Sequence, residues 1–425
     1  MLYRFLVYLR KPSNQLWLMP AAGALLAVIF VFAASWVNVF VPPSFLPDIN
    51  LETLESLLDV IASSMLAVST FSLSIMVSAF ASASNSATPR ATELVMSDDN
   101  TRMAIASFIS AFIYAIIAKI ALGLGYYGQN GRFALFIATI FVLLYLIVTL
   151  IRWVHTLSQL GRLENTLAKI KHATEKSLLQ ARIQADMGAS RKGEVDAQAH
   201  QLKLNRTGFL THIDMAGLQK QAEASDCYVH IAVRPGEMIL PDTVLAYVQA
   251  NSGSDKSPQK DVLDCVKSMA NCFVLDAARS FDQDPSWGFI VLSEAGQRAL
   301  SSAINDPGTV IRVMNDMLAL FVDVLPPEAG EVSQLDYDRL SIAPINYADW
   351  VEDAFLPLIR DGAALVEVNL IMQKVLAGIA RYAPEQGVQA AAKQVAALAL
   401  ERAQQKLDFE SDRERLEAKH KELFH

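Results

Sequence analysis

Between Asp59 and Arg90 the sequence carries no charged residue, yet the same stretch is unusually rich in hydroxyls. It is long enough to cross a hydrocarbon core of about 30 Å, which takes around 20 helical residues. At about 100° per residue, Ser63, Ala67, Thr70, Ser74, Ser78, Ala81 and Asn85 fall within an arc of roughly 80°. Only Val60, one turn earlier, puts a branched apolar side chain in that arc, and the other faces carry Met65, Leu66, Phe71, Leu73, Ile75, Met76 and Phe80. A span built this way is made to face something besides lipid. Two readings stay open. Ser, Ala and Thr let membrane helices approach closely and hydrogen-bond across the contact. Alternatively, copies of the helix around an axis line a wet pathway with Ser63, Thr70, Ser74, Ser78 and Asn85, and Glu52, Glu55 and Asp59 near its outer mouth gather cations.

The rest of the chain supports a membrane assignment. Apolar residues make up 52% of the 425 positions, and mean hydropathy is +0.28. Four apolar segments are expected to cross the bilayer, at about 16–40, 60–86, 103–124 and 133–151, within a transmembrane domain over 1–152. The first, closed by Pro42 and Pro43, is too long for the core of a signal peptide and is expected to be retained. Arg4, Arg10 and Lys11 precede it, Arg90 and Arg102 flank the second connection, and Arg152, Arg162, Lys169, Lys171 and Lys176 follow the fourth span. The other two connections hold Arg132 against Asp48, Glu52, Glu55 and Asp59. Positive charge stays inside, so both termini are expected in the cytoplasm of a bacterial inner-membrane protein. A net charge of −8 argues against a nucleic-acid partner. The three cysteines lack C-x-x-C spacing, which fits a reduced compartment and no zinc site.

After the membrane, residues 153–204 read as a juxtamembrane helical linker, with Leu157, Leu160, Leu163, Leu167 and Ile170 at three- and four-residue steps. That stripe packs on its own domain or forms an interchain stalk. Residues 205–250 read as a small barrel-sandwich-like β module: Cys227, Val229, Ile231 and Val233 alternate with Tyr228, His230 and Ala232, and Arg234-Pro235-Gly236 turns the chain. Asp214 is placed to cap a short helix, and the hairpin tip has no lysine for a lipoyl or biotinyl group. Asn251 to Gln259 is a polar linker. Residues 260–425 read as a helical cytoplasmic domain, with helices near Val262–Ala278, Ser286–Leu300, Gly308–Val324, Tyr347–Arg360, Gly362–Arg381 and Pro384–Glu417. Asp284-Pro285 and Asp306-Pro307 each place a capping carboxylate before a first-turn proline.

The run Arg298-Ala-Leu-Ser-Ser-Ala-Ile-Asn-Asp-Pro-Gly-Thr309 resembles the A-I-N-D-P-x-T signature of an uncharacterised bacterial family of predicted membrane proteins, domain of unknown function 2254. Phe281-Asp-Gln-Asp-Pro285 is similar to that family's acidic Q-D-P motif, and Arg234-Pro-Gly236 and the hydroxyl-rich second span match too. Ser302 stands where the family has proline. The resemblance covers nearly the whole chain and implies location and layout; the family name carries no activity.

Several groups are singled out. Asp59 and Lys119 lie near the outer ends of the second and third spans; either they pair, or Lys119 reaches the headgroups alone. Asp282, Asp284 and Asp306 are acidic enough to attract a hard cation, but capping accounts for two of them, and no metal is expected. Asn305 has no such account. Gly123-x-Gly125-x-x-Gly128 spells a dinucleotide fingerprint, but in a short connection with neither a strand before it nor a helix N-terminus after it. No H-E-x-x-H, G-x-S-x-G or P-loop occurs. An enzyme is not expected, and neither is a cofactor. The expectation is a homo-oligomeric, channel-like protein in contact with membrane lipids. The alternative is a membrane-anchored scaffold or regulator whose cytoplasmic domain, more than half of the chain, binds a protein partner.

Overall fold

The computed structural model describes residues 12–35, 47–96, 98–191, 199–250, 266, 268–327 and 336–424. Arg4, Arg10, Lys11, Pro42, Pro43, Cys265 and the linker Asn251 to Gln259 lie outside the described residues. The chain is mainly helical and divides into two compact units. The first holds the described residues through Thr166 except Ser86–Thr88; the second holds those three and everything described from Leu167 on.

The first unit contains α1 (Pro12–Ser35), α2 (Leu51–Ser86), α3 (Asp99–Gly123) and α4 (Gln129–Gln159). Of these, α2, α3 and α4 are long and apolar enough to cross a membrane; α1 carries a shorter apolar run, Pro20–Ile29. The expected first span, about 16–40, continues past α1 into residues that are not described. Small residues let these helices approach. Ala104, Ala111, Ala115 and Ala118 are buried on α3, and a Cβ added to Gly23 of α1 would lie 2.1 Å from Ser110 Oγ. Leu54, Leu58 and Ile61 of α2 and Leu135 of α4 join the same core around Phe108. Tyr114 and Thr139 share a hydroxyl hydrogen bond of 2.9 Å between α3 and α4.

The helix that holds the second span runs from Leu51, where the Asn50 side chain accepts from Glu52 N–H at 3.0 Å. One expectation is corrected here. A helix does begin directly after Gly128, at Gln129. What leads into Gly123 is the helix α3 and not a strand, so the dinucleotide geometry is still missing.

The helix after the fourth span is not continuous. It stops at Gln159 and restarts as α5 (Leu163–Ile183), because Gly161 takes φ +76°. An added Cβ there would sit 3.2 Å from Ala79 Cα, and Ser82 Oγ donates to Gly161 O at 2.9 Å. Of the leucine stripe, Leu167 and Ile170 are buried in the second unit along with Leu178. Closest contact comes where Gly288 meets Thr174: a Cβ at Gly288 would lie 2.0 Å from Thr174 Oγ1. That face packs on its own chain.

The second unit joins a β module to a helical layer. One sheet runs β1 (His200–Lys203), β5 (Val244–Ala250), β3 (Cys227–Ile231) and β7 (Leu340–Ile342); the other runs β4 (Met238–Ile239), β2 (Gly208–Ile213) and β6 (Phe273–Asp276). All pairs are antiparallel except β3 with β7. Between β2 and β3 lies α6 (Met215–Ala224), capped by Asp214, which accepts from Gly217 N–H at 2.9 Å. The inward residues Leu210, Val229, Ile231, Ile239, Val248 and Phe273 form one core with the buried Cys227 and Cys272. Thus the module starts at His200 and recruits two later strands. Phe273–Asp276 falls where a helix over Val262–Ala278 was expected, and Leu340–Ile342 falls inside the segment read as wholly helical. Both strands are too short for periodicity to identify, and sheet neighbours decide them.

The helical layer comprises α7 (Pro285–Leu300), α8 (Pro307–Asp323), α9 (Tyr347–Gly362), α10 (Val366–Tyr382), α11 (Gln386–Lys406) and α12 (Glu410–Phe424). The last two replace one expected helix, Pro384–Glu417. Phe289 stacks on Phe321 at 4.5 Å, and Phe321 lies 6.4 Å from Phe355, at the centre of the layer. Arg182 of α5 ties three elements together: it pairs with Glu385 at 2.7 Å and donates to the last-turn carbonyls of α8 at Leu320, Phe321 and Val324.

Candidate functional site

Two places stand out. The first is α2. Its buried residues, Leu54, Leu58, Ile61, Ala62, Met65, Ser69, Ser72, Met76, Ala79 and Ala83, lie on one face. The seven small or polar positions of the arc lie about 180° away, and all seven are exposed within the chain. Leu66, Leu73 and Val77 flank the arc on one side and Phe71 on the other, also exposed. Ser63 Oγ donates to Asp59 O at 2.7 Å, and Thr70 Oγ1 to Ala67 O at 2.9 Å, so these hydroxyls bond to their own helix. At the end where α2 begins, Lys119 Nζ meets Asp59 Oδ1 at 2.5 Å within one chain. Arg132 meets Asp48 at 3.0 Å. Glu52 is exposed and Glu55 half-buried.

The second place is a cavity of about 610 Å³ in the unit that starts at Leu167, between the β module and the helices. Its walls come from α5 (Gln180, Ala181, Gln184), the start of α6, the Arg234–Glu237 turn, the Arg279 to Ser286 segment and the first turns of α9. Two stretches of the family-like pattern therefore face one another. Gly236 takes φ +100°, and a Cβ there would lie 2.5 Å from Asp284 Oδ2 and 2.8 Å from an Arg279 nitrogen. Only glycine gives both that backbone angle and that approach.

Asp284 is 2% exposed. It accepts from Arg279 Nε and Nη2 at 2.7 and 2.9 Å, and caps α7 by accepting from Trp287 N–H at 3.2 Å. Burial pushes its carboxyl upward, while the Arg279 fork pulls the other way. Gln283 accepts from Ile213 N–H at 2.9 Å, tying the segment to β2. Arg234 donates to Ala343 O and Ala185 O, each at 2.7 Å, and burial lowers its pKa. On α9, Asp353 is pushed up to about 6, first by burial and then by Asp349 and Asp284, against the pull of Arg279 and a Ser286 hydrogen bond.

The signature acids are not gathered into one site. Asp282 pairs with His212 at 3.0 Å, and that hydrogen bond holds its carboxyl below the usual range. Asp306 caps α8, accepting from Thr309 N–H at 3.1 Å and Thr309 Oγ1 at 2.6 Å, and these bonds lower its pKa. Asn305, at φ +50°, makes the left-handed turn just before that cap, a conformation asparagine tolerates better than other side chains. Among the described residues no group of three His, Cys, Asp or Glu is arranged to hold a metal ion. Arg234, Glu237, Arg279, Asp349 and Asp353 were not singled out as site residues from sequence. Arg234 and Glu237 lay in the recognised hairpin motif, whereas Asp349 and Asp353, one turn apart on a helix, looked like any solvated face.

The match to known families is decisive at this point. A family model described as predicted membrane protein (DUF2254) covers residues 13–378. The chain belongs to this family. The matched range includes both the cavity-wall turn at Arg234–Gly236 and the Gln283-Asp284-Pro285 segment opposite it. No curated protein and no solved structure matches the chain.

Proposed function

We propose that this protein is a channel-like homo-oligomer of the bacterial inner membrane, with both termini in the cytoplasm and α1 as a fourth crossing. Copies of α2 turn their hydroxyl-bearing faces toward a shared axis. One observation carries the reading: the small and polar arc of α2 lies opposite the face packed on its own chain, and every position in it is exposed. Against acyl chains such a face gains little, whereas against another copy it permits close helix approach or a wet lining. The flanking Leu66, Phe71, Leu73 and Val77 suit lipid. The exposed Glu52 and the half-buried Glu55 supply acidic charge at the end where Asp59 is already paired. No catalytic step is assigned.

The test is the oligomeric state in lipid nanodiscs, followed by conductance in planar bilayers. Ser74→Leu with Ser78→Leu is expected to abolish conductance while the assembly survives. Loss of assembly before conductance would make the arc a packing face, and a protein that stays monomeric in lipid ends the proposal. A second reading, a membrane-anchored regulator, is favoured by the cavity in the unit that starts at Leu167.

A further inference from the structure

The cavity has the size of a small-molecule site, for which 300–1,000 Å³ is about the usual range. Its walls are held before any ligand arrives: Gly236 presses against the Asp284–Arg279 pair, and Gln283 is bonded to β2. The balance of charge in it is one-sided, with the carboxylates Asp214, Glu237, Asp284, Asp349 and Asp353 against Arg234 and Arg279. Both guanidinium groups are committed elsewhere. Arg279 grips Asp284 with two bonds, and Arg234 donates to two backbone carbonyls. An anion entering would find no uncommitted fork to bind it.

Asp349 and Asp353 differ from the other acids in the wall. They stand at i and i+4 on α9, where like charges repel. Asp349 accepts from the Asn346 amide at 2.7 Å, and Asp353 accepts from Ser286. Like Asp214 and Glu237, neither is in an ion pair with lysine or arginine among the described residues, but only these two stand side by side. We propose that this cavity binds a small organic cation, an amine or guanidinium on a compact body, with Asp349 and Asp353 as its counter-charge. A bare metal ion is a poor fit, since among the described residues no group of three His, Cys, Asp or Glu is assembled. The buried indole of Trp350 and the side chains of Ala181 and Ile213 give an apolar wall for the ligand's body. Burial takes water from the Asp353 carboxylate, a cost that a bound cation would offset. The proposal stands whether or not α2 lines a pathway.

The test uses the full chain in nanodiscs at about pH 8, where Asp353 is ionised. Calorimetry measures benzylammonium and agmatine against the neutral benzyl alcohol and the anion benzoate. Both cations are expected to bind at least about tenfold more tightly than benzyl alcohol, and benzoate is expected not to bind. Asp353→Asn and Asp349→Asn should each weaken the cations by about tenfold or more, whereas Asp361→Asn on the same helix should change nothing. Ala181→Phe, which narrows the cavity without touching a charge, should weaken benzylammonium as well; its elution profile and melting curve confirm that it has folded. Equal affinity for benzylammonium and benzyl alcohol overturns the proposal. So does binding undiminished in the double variant Asp349→Asn/Asp353→Asn, or no cation binding up to about 10 mM.

Discussion

The single residue with the largest physical consequence is Asp353. Its folded pKa, about 6, stands above the ordinary 3.8 because burial and two neighbouring carboxyls disfavour its charge. The folded state therefore binds more protons than the unfolded state between about pH 4 and pH 6, and stability falls as pH rises through that window. The whole effect is at most about 3 kcal/mol, from roughly two pKa units. Asp353→Asn should be more stable than the parent at neutral pH and should lose that part of the pH dependence. Melting curves from about pH 4 to pH 8 decide it, and parallel curves for the two proteins would exclude the burial account. None of this was legible beforehand: Asp349 and Asp353 gave only a helix with acidic residues one turn apart, and what buries Asp353 arrives from segments more than 60 residues away.

At the scale of elements, local chemistry was readable and long-range pairing was not. Asp214, Asp284 and Asp306 announced their helices because a capping carboxylate and first-turn proline act within three residues. The strands Phe273–Asp276 and Leu340–Ile342 exist only because β2 and β3 offer them an edge, which no local pattern encodes. Similarly, the break at Gly161 depends on Ala79 standing close by. The turn between α7 and α8 gives the sharpest element-scale prediction. If Asn305 is there for its left-handed backbone, Asn305→Gly should leave stability within about 0.5 kcal/mol, and Asn305→Val should cost at least about 1 kcal/mol. Chemical or thermal unfolding of the two variants measures this. If valine is tolerated as well as glycine, the signature asparagine has a role other than turning the chain.

Across the whole molecule, hydropathy made the membrane helices visible, because a continuous apolar stretch of bilayer length has few other uses. The cavity was invisible for the opposite reason, since segments far apart in sequence meet there. The proposed orientation rests on charge. At the end where α2 starts, Lys119 and Arg132 are the basic residues, and each is paired with an aspartate. Arg90, Arg152 and Arg162 mark the other end. The proposed topology, read from positive-inside bias, has Asp48 to Leu51 outside and the long C-terminal part, with Cys227, Cys265 and Cys272, inside. The parent chain is its own control: in intact cells a membrane-impermeant maleimide should leave it unlabelled. Asn50→Cys should label in intact cells, and Ser302→Cys, exposed in the signature turn, only after permeabilisation. Labelling of Ser302→Cys in intact cells would invert the topology and place both the cavity and its cation outside the cytoplasm.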